Sequence, residues 1–156
     1  MFFLFDCDNF FVSCERVFAP GLKKRPVVVL SNNDGCVVSR SYEAKALGIP
    51  MGAPYFKIER FFTARGGVAL SSNYELYADM SARVMSVLRS CFSNLEVYSI
   101  DEAFARLPDS QNLEQLAAAI RTRILRETGI SVSAGIAPTK TCLLYTSPSP
   151  RDTERS

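Results

Sequence analysis

Runs of apolar residues recur along the 156-residue chain and predict a series of β-strands. The first run, residues 1–7, meets its first acid only at Asp6, which is typical of a strand buried on both faces. Shorter runs predict further strands at 26–31, 36–39, 68–71, 96–100, 103–107 and 130–137. Asp101 and Glu102 separate two of these runs, so we expect both acids at the tip of a tight hairpin.

Apolar residues at helical spacing predict helices between these strands. Short helices are expected at 9–18, at 41–47 and from about residue 55. A long amphipathic helix begins after Ser72 or Asn73, either of which can cap it, and ends near residue 91.

A second amphipathic helix is predicted at 113–126, with Leu116, Ile120 and Ile124 on its buried side. We interpret the segment 32–67 as an insertion and the chain around it as the order strand, helix, strand, strand, helix, strand. This order is the split βαβ arrangement of a ferredoxin-like α+β fold. We therefore expect a single sheet that carries a small inserted subdomain.

Composition narrows the classes of protein to consider. The chain is 47% hydrophobic and long enough to bury one ordinary core. Its apolar runs are far shorter than the roughly 20 residues that cross a bilayer, and its first residues lack a basic leader, so we expect a cytoplasmic protein with no membrane partner. The absence of histidine and of a Cys-x-x-Cys pair argues against a zinc site and against catalysis by a Ser-His or Cys-His pair. A net charge of +2 is too small to indicate nucleic acid by itself.

Acids recur where predicted strands end. Asp6 and Asp8 close the first strand, and Asp101 and Glu102 lie between two later ones. Carboxylates gathered at one sheet edge favour hard cations such as Mg²⁺, and two such ions can activate a hydroxyl and stabilise a leaving pyrophosphate. The alternative is that these acids merely occupy solvated turns.

Several segments together resemble the Y-family translesion DNA polymerases, and within that family the branch of the DNA polymerase V catalytic subunit. They are 6–11 (DCDNFF), 30–36 (LSNNDGC), 43–48 (EAKALG), 72–81 (SNYELYADMS) and 99–104 (SIDEAF), and the likeness covers residues 1–141. The resemblance implies a palm with a finger insertion at about 32–67. It also implies DNA synthesis past damaged bases in the SOS response, on a primed DNA template with deoxynucleoside triphosphates.

The resemblance assigns the metal site by position. Asp6, Asp101 and Glu102 match the family's catalytic metal-binding acids, and the backbone carbonyl of Cys7 matches a further ligand. Two Mg²⁺ ions are implied, for which Mn²⁺ can substitute. Asp8 is not one of the family's usual ligands, and some relatives replace it, so it is not assigned to the site.

The resemblance also assigns residues that bind the nucleotide. Phe11 matches the aromatic steric gate, which leaves no room for a 2′-hydroxyl on the incoming sugar. The alternative for Phe11 is core packing beside Phe10. Ser39, Tyr42 and Lys45 fall where the finger contacts the triphosphate, because each can donate to phosphate oxygens. A solvated surface position is the alternative for Lys45.

The chain departs from the family pattern after Thr141. Relatives continue Leu-Ala-Lys, whereas this chain reads Cys142, Leu143, Leu144, and no helix bearing a further triphosphate-binding lysine is recognisable. From Tyr145 onward, a composition rich in Ser, Pro, Arg and Thr predicts a disordered tail. We interpret 142–156 as a non-native-looking tail and expect the fragment to be inactive alone, because a thumb and a further DNA-binding subdomain follow in relatives.

Two other functions stay open from the residues. A nucleotidyl cyclase uses a similar sheet with two metal-binding acids and also expels pyrophosphate. A non-catalytic DNA-associated or protein-interaction fragment would keep the fold without turnover. For the full-length parent, the resemblance implies an accessory protein dimer and a recombinase filament as partners.

Overall fold

The computed structural model describes residues 1–107 and 112–146 of the chain. Met1–Asp8 and the described residues from Ala78 onward form a first compact unit, and Asn9–Tyr77 forms a second unit. The elements in chain order are β1 (Phe2–Cys7), α1 (Phe10–Phe18), a 3₁₀ helix (Pro20–Leu22), β2 (Val27–Leu30), β3 (Val37–Arg40), α2 (Tyr42–Ala46), α3 (Tyr55–Ala64), β4 (Val68–Ser71), α4 (Tyr74–Cys91), β5 (Glu96–Ser99), β6 (Glu102–Arg106), α5 (Leu113–Thr128), β7 (Val132–Ala137) and α6 (Lys140–Thr146).

The strands of the first unit form one antiparallel sheet in the order β5, β6, β1, β7. Along the chain, β1, α4, β5, β6, α5 and β7 follow the order strand, helix, strand, strand, helix, strand. This order confirms the predicted split βαβ arrangement of an α+β fold, but it is obtained by setting aside every element from α1 to β4 and not the segment 32–67 alone. Because β1 is a central strand, an acid at its end adjoins a neighbour on either side.

The side chains of β1 are buried on both faces of the strand, as its apolar run predicts. Phe3 and Phe5 project to one face, where their ring centroids lie between 5.6 and 5.9 Å from each other and from Phe92. The other face is covered by a cluster that contains Leu4, Phe104, Ala137 and Leu143.

The amphipathic helices α4 and α5 occur where the sequence places them, with one error in the buried face of α5. Asn73 caps α4, since its side-chain Oδ1 accepts the N–H of Leu76 at 3.2 Å. The prediction that Leu116 is buried is wrong, because its side chain is 40% exposed. Leu116 lies at the margin of the helical stripe, whose buried members are Leu113, Ala117, Ile120, Ile124 and Thr128. None of the described helices combines the length and the apolar character that crossing a membrane requires.

The prediction of a single sheet is wrong, because the second unit contains a sheet of its own, in the order β3, β2, β4. β3 pairs antiparallel with β2, and β4 pairs parallel with β2 on the other side. The segment 32–67, predicted to be an insertion, lies within this unit, and the strands that flank it pair with each other. The core of the unit includes Val28, Val37, Ala44, Ile49 and Phe62.

The end of the described chain corrects one prediction. Residues from Tyr145 onward are predicted to be disordered, but α6 extends from Lys140 to Thr146 and includes Tyr145. The apolar side chain of Leu143 is only 3% exposed in this helix, so burial of that side chain favours the ordered turn. The rest of the predicted tail, 147–156, lies outside the described residues.

Candidate functional site

Three acids from neighbouring strands converge at one edge of the first unit's sheet. Asp6 lies near the end of β1 and is paired in register with Glu102, the first residue of β6. Ligand oxygens of Asp6, Asp101 and Glu102 all lie within 4.8 Å of one another. The predicted convergence of these acids is therefore present.

The local hairpin differs from the prediction in one detail. Glu102 is not at the tip but in β6, where it pairs with Ser99 across a two-residue turn made of Ile100 and Asp101. A register shift between Val97 and Ser99 allows this short connection. The two acids, adjacent in sequence, thus differ in setting, since Glu102 is fixed by the sheet and Asp101 by the turn.

The site is largely shielded from water. Asp6 is 3% exposed and Glu102 is 1% exposed, whereas Asp101 is half-buried. The hydroxyl of Ser99 lies 3.1 Å from Asp101 Oδ1 and 2.9 Å from Glu102 Oε1, so it donates to one or the other carboxylate. Ionised carboxylates that are buried in close proximity repel one another, and a bound cation would relieve this repulsion. A donor set made only of oxygens fits a hard divalent cation rather than zinc.

The backbone of Cys7 is directed toward the same acids. The N–H of Cys7 donates to the carbonyl of Asp101 at 2.9 Å. The N–H of Asp8 donates to the carbonyl of Ser131, on the β7 side of the strand, at 2.9 Å. In a planar trans peptide the C=O of Cys7 points away from the N–H of Asp8, and thus toward the turn that carries Asp101. This carbonyl is therefore placed to act as a further oxygen ligand.

The carboxylate of Asp8 is engaged by the neighbouring strand. Its Oδ2 accepts the Ser131 hydroxyl at 2.8 Å, and its Oδ1 accepts the Ser133 hydroxyl at 2.7 Å. Sequence reasoning missed these two serines, although their spacing of two residues indicates one face of a strand.

The expected steric-gate residue belongs to an aromatic cluster in the second unit. Phe11 stacks on Tyr77, with ring centroids 4.4 Å apart and an interplanar angle of 11°. The Tyr77 hydroxyl donates to Glu15 Oε2 at 2.7 Å, and burial together with this hydrogen bond raises the pKa of Tyr77. Phe10 is buried, whereas Phe11 is half-buried. Sequence reasoning missed the support that Tyr77 gives to Phe11.

The residues expected to bind phosphate also lie in the second unit, and they differ in exposure and in the groups they contact. Tyr42 is 52% exposed, and the ammonium of Lys45 lies 4.6 Å from the centre of its ring. Ser39 is 6% exposed, and its hydroxyl oxygen accepts the N–H of Val12 at 3.4 Å. The helix that carries Tyr42 and Lys45 is capped by Ser41, whose hydroxyl oxygen accepts the N–H of Ala44 at 3.1 Å.

Comparisons with known proteins give the family. The model of the impB/mucB/samB family matches residues 5–142. The UmuC protein of Salmonella typhimurium strain LT2 is 54% identical over 144 residues, which cover 90% of this chain and 34% of UmuC. DNA polymerase IV of Metallosphaera sedula is 34% identical over 144 residues, which cover 86% of this chain and 41% of that protein.

A solved structure agrees with the sequence relatives. The ternary complex of Dbh superposes with a TM-score of 0.82 at 33% identity, covering 90% of this chain and 42% of that chain. This chain spans about a third of the length of UmuC, since the match covers 34% of that protein. The match to 5–142 and these likenesses confirm the resemblance to Y-family polymerases, and the chain belongs to the impB/mucB/samB family.

Proposed function

We propose that this chain supplies the palm and finger of a DNA polymerase that copies damaged templates in the SOS response. The observation that carries the proposal is the convergence of Asp6, Asp101 and Glu102 within 4.8 Å on paired strands. Relatives that bear the names UmuC and DNA polymerase IV support the reaction class. The palm corresponds to 1–141, with the finger inserted at about 32–67, and 142–156 depart from the family sequence.

The three acids and the Cys7 carbonyl are the residues that would hold two Mg²⁺ ions, with Mn²⁺ as a substitute. Bound there, such ions lower the pKa of a primer hydroxyl and neutralise charge on the triphosphate. The protein's own contribution is rigid placement. Asp6 and Glu102 are buried and paired through the backbone, so their oxygens need little rearrangement to accept a cation.

Substrate selection is assigned to the second unit. Phe11 is proposed to be the steric gate. Stacking on Tyr77 holds the Phe11 ring in place, so that the ring excludes a sugar that carries a 2′-hydroxyl. Tyr42 and Lys45 offer a phenol and an ammonium from one turn of α2 to phosphate oxygens. Ser39 is proposed to donate its hydroxyl proton to phosphate, since its oxygen already accepts a backbone N–H.

The proposed substrates are a primed DNA template and deoxynucleoside triphosphates. The ternary complex solved for Dbh supports this assignment. For the full-length parent, the likeness to UmuC supports an accessory protein dimer and a recombinase filament as partners. The names of the relatives favour a polymerase over the nucleotidyl cyclase that the acids alone leave open.

The test is the variant Asp101→Ala in a chain extended with the C-terminal parts of UmuC, assayed for extension of a primed template. We expect loss of nucleotide addition by at least about a hundredfold, because an electrostatic stabiliser of the transition state is removed. Asp79→Ala is the matched control, since Asp79 is 55% exposed and pairs with Arg83 of its own helix. Retained extension in Asp101→Ala, or cyclisation of a nucleoside triphosphate by the unmodified protein, would contradict the proposal.

A further inference from the structure

Asp8 ties the end of β1 to the start of β7 through three hydrogen bonds. Its two carboxylate oxygens accept the hydroxyls of Ser131 and Ser133, and its N–H donates to the Ser131 carbonyl. The last residue pair in the ladder between these strands is Cys7 with Val132. The bonds of Asp8 therefore extend the connection between the strands one residue beyond their ladder.

Asp8 lies where the chain leaves the sheet. The next residue, Asn9, has a left-handed backbone with φ of 43° and precedes α1. The N–H of the final peptide is held by the Ser131 carbonyl, and the side-chain bonds of Asp8 add a second restraint at this change of direction. The peptide between Cys7 and Asp8 is the one whose carbonyl points toward Asp101. Its orientation thus depends on how firmly residue 8 is held.

We propose that Asp8 is a positioning residue for the candidate metal centre. By binding both serine hydroxyls, its carboxylate fixes the peptide that follows Cys7, and the Cys7 carbonyl then completes an oxygen site with Asp6, Asp101 and Glu102. Asp8 itself does not contact the cation. The inference rests on the proposed function, because the metal centre belongs to the proposed reaction.

Geometry and charge can be separated at this position. Asn in place of Asp8 retains the shape of the side chain but not its charge. Its carbonyl oxygen accepts one serine hydroxyl, and its NH₂ group donates to the oxygen of the other, because a hydroxyl both donates and accepts. Ala removes both bonds. A role through geometry therefore predicts that Asp8→Asn resembles the unmodified protein and that Asp8→Ala does not.

The experiment is a titration of the whole chain with Mn²⁺, in which free Mn²⁺ is followed by electron paramagnetic resonance. The variants are Asp8→Ala, Asp8→Asn and Ser133→Ala, with Asp101→Ala as the control for loss of the site. We expect Asp8→Ala to weaken Mn²⁺ binding about tenfold, as for other residues that orient a ligand, and Asp8→Asn to bind nearly as tightly as the unmodified chain. Circular dichroism checks that each variant is folded under the titration conditions.

The outcomes separate the inference from the proposed function. A folded Asp8→Ala chain that binds Mn²⁺ unchanged would overturn the positioning role and leave a purely structural one. Equal weakening in Asp8→Asn and Asp8→Ala would overturn it in favour of a charge effect. If Asp8→Ala does not fold, Ser133→Ala, which loses one bond, decides by the same criterion of weaker binding. An unmodified chain that binds no Mn²⁺ would overturn the metal centre and the positioning role together.

Discussion

The acids of the candidate metal centre are held in place by strand pairing and burial. Asp6 and Glu102 are opposite each other in the ladder of β1 and β6, and both are almost completely buried. Because folding has already restricted these side chains, they lose little further rotamer freedom when they accept a cation. The hydroxyl of Ser99 adds a hydrogen bond to this group. The arrangement is thus prepared by the fold before a cation is present.

The Tyr77 hydroxyl provides a prediction about the aromatic cluster. Tyr77→Phe removes the hydrogen bond to Glu15 and leaves the ring that stacks on Phe11. We expect the free energy of unfolding in urea to fall by about 1.5 kcal/mol, since the acceptor is a carboxylate. Tyr74→Phe is the matched control, because the side chain of Tyr74 is 52% exposed, and it should change stability little. Equal stability of the two variants would show that the hydroxyl of Tyr77 contributes nothing.

Glu43 provides a prediction about pH. Burial, the largest single influence, raises the pKa of this carboxyl, but the hydrogen bond from Arg16 at 2.8 Å, the charge of Arg16 and the hydrogen bonds from the Glu43 backbone and from Ser41 together outweigh it and leave the pKa of Glu43 below its usual value. The stabilisation is therefore complete above the unfolded pKa, near 4.5, and is lost as the pH falls through the folded pKa.

We expect Glu43→Gln to reduce stability at pH 7 by about 0.5 kcal/mol, the scale of a partly exposed ion pair. The same variant should differ less from the unmodified chain at pH 3, where a larger fraction of Glu43 is protonated and neutral. Denaturation in urea at the two pH values measures this. A difference in stability between the two chains that grows as the pH falls would contradict a stabilising ion pair between Glu43 and Arg16.

At the scale of elements, the second unit depends on close packing between a helix and the turn that follows it. Phe62 of α3 is completely buried, and a Cβ added to Gly67 would lie 2.5 Å from its ring. Gly67 immediately precedes β4, which pairs in parallel with β2. The absence of a side chain at Gly67 thus allows α3 to pack beside the start of β4.

We expect Gly67→Ala to destabilise the chain by about 2 kcal/mol, because the added methyl overpacks a rigid aromatic ring. Gly21→Ala is the matched control, since a Cβ at Gly21 would meet no atom within 4 Å and its φ is not left-handed. Thermal unfolding followed by circular dichroism compares the two. A Gly67→Ala chain as stable as Gly21→Ala would contradict the packing described for Phe62.

Local sequence patterns are enough to predict the elements whose buried residues recur with a regular period. The apolar run of β1 and the stripe of α4 lie where the sequence places them. The pairing of β2 with β4 joins residues about forty positions apart, and no local pattern encodes such a contact. The sequence predicts that Leu116 is buried, because apolar residues at the edge and at the centre of a helical stripe recur at the same spacing.

The sequence predicts the acids of the candidate site but not the residues whose hydrogen bonds support it. Asp6, Asp101 and Glu102 stand at strand ends, a position that sequence alone reveals. The bonds from Ser131 and Ser133 to Asp8 cross more than 120 residues of sequence, so only the folded chain brings them together. Composition predicts disorder at Tyr145, because composition takes no account of Leu143, which is buried in the same helix.

At the scale of the whole molecule, the first unit is assembled from two separate segments of the chain. Met1–Asp8 supplies the central strand, and the residues from Ala78 onward supply its neighbours. The acids of the candidate metal centre come from both segments, so the cluster forms only when these segments pair. The chain covers 34% of UmuC, and this covered part contains the whole acidic cluster.

The most direct test is to add Mn²⁺ to the isotopically labelled chain and to record which backbone amide signals in its NMR spectrum are broadened. Mn²⁺ broadens signals of nearby nuclei, so the broadened set maps the cation onto the sequence. We expect the signals of Asp6, Cys7, Asp101 and Glu102 to disappear first, at Mn²⁺ concentrations that leave Glu114 and other surface acids remote from the turn at Asp101 unaffected. Broadening that begins at those surface acids, or that spreads evenly over the chain, would contradict a metal centre built from the strand-end carboxylates.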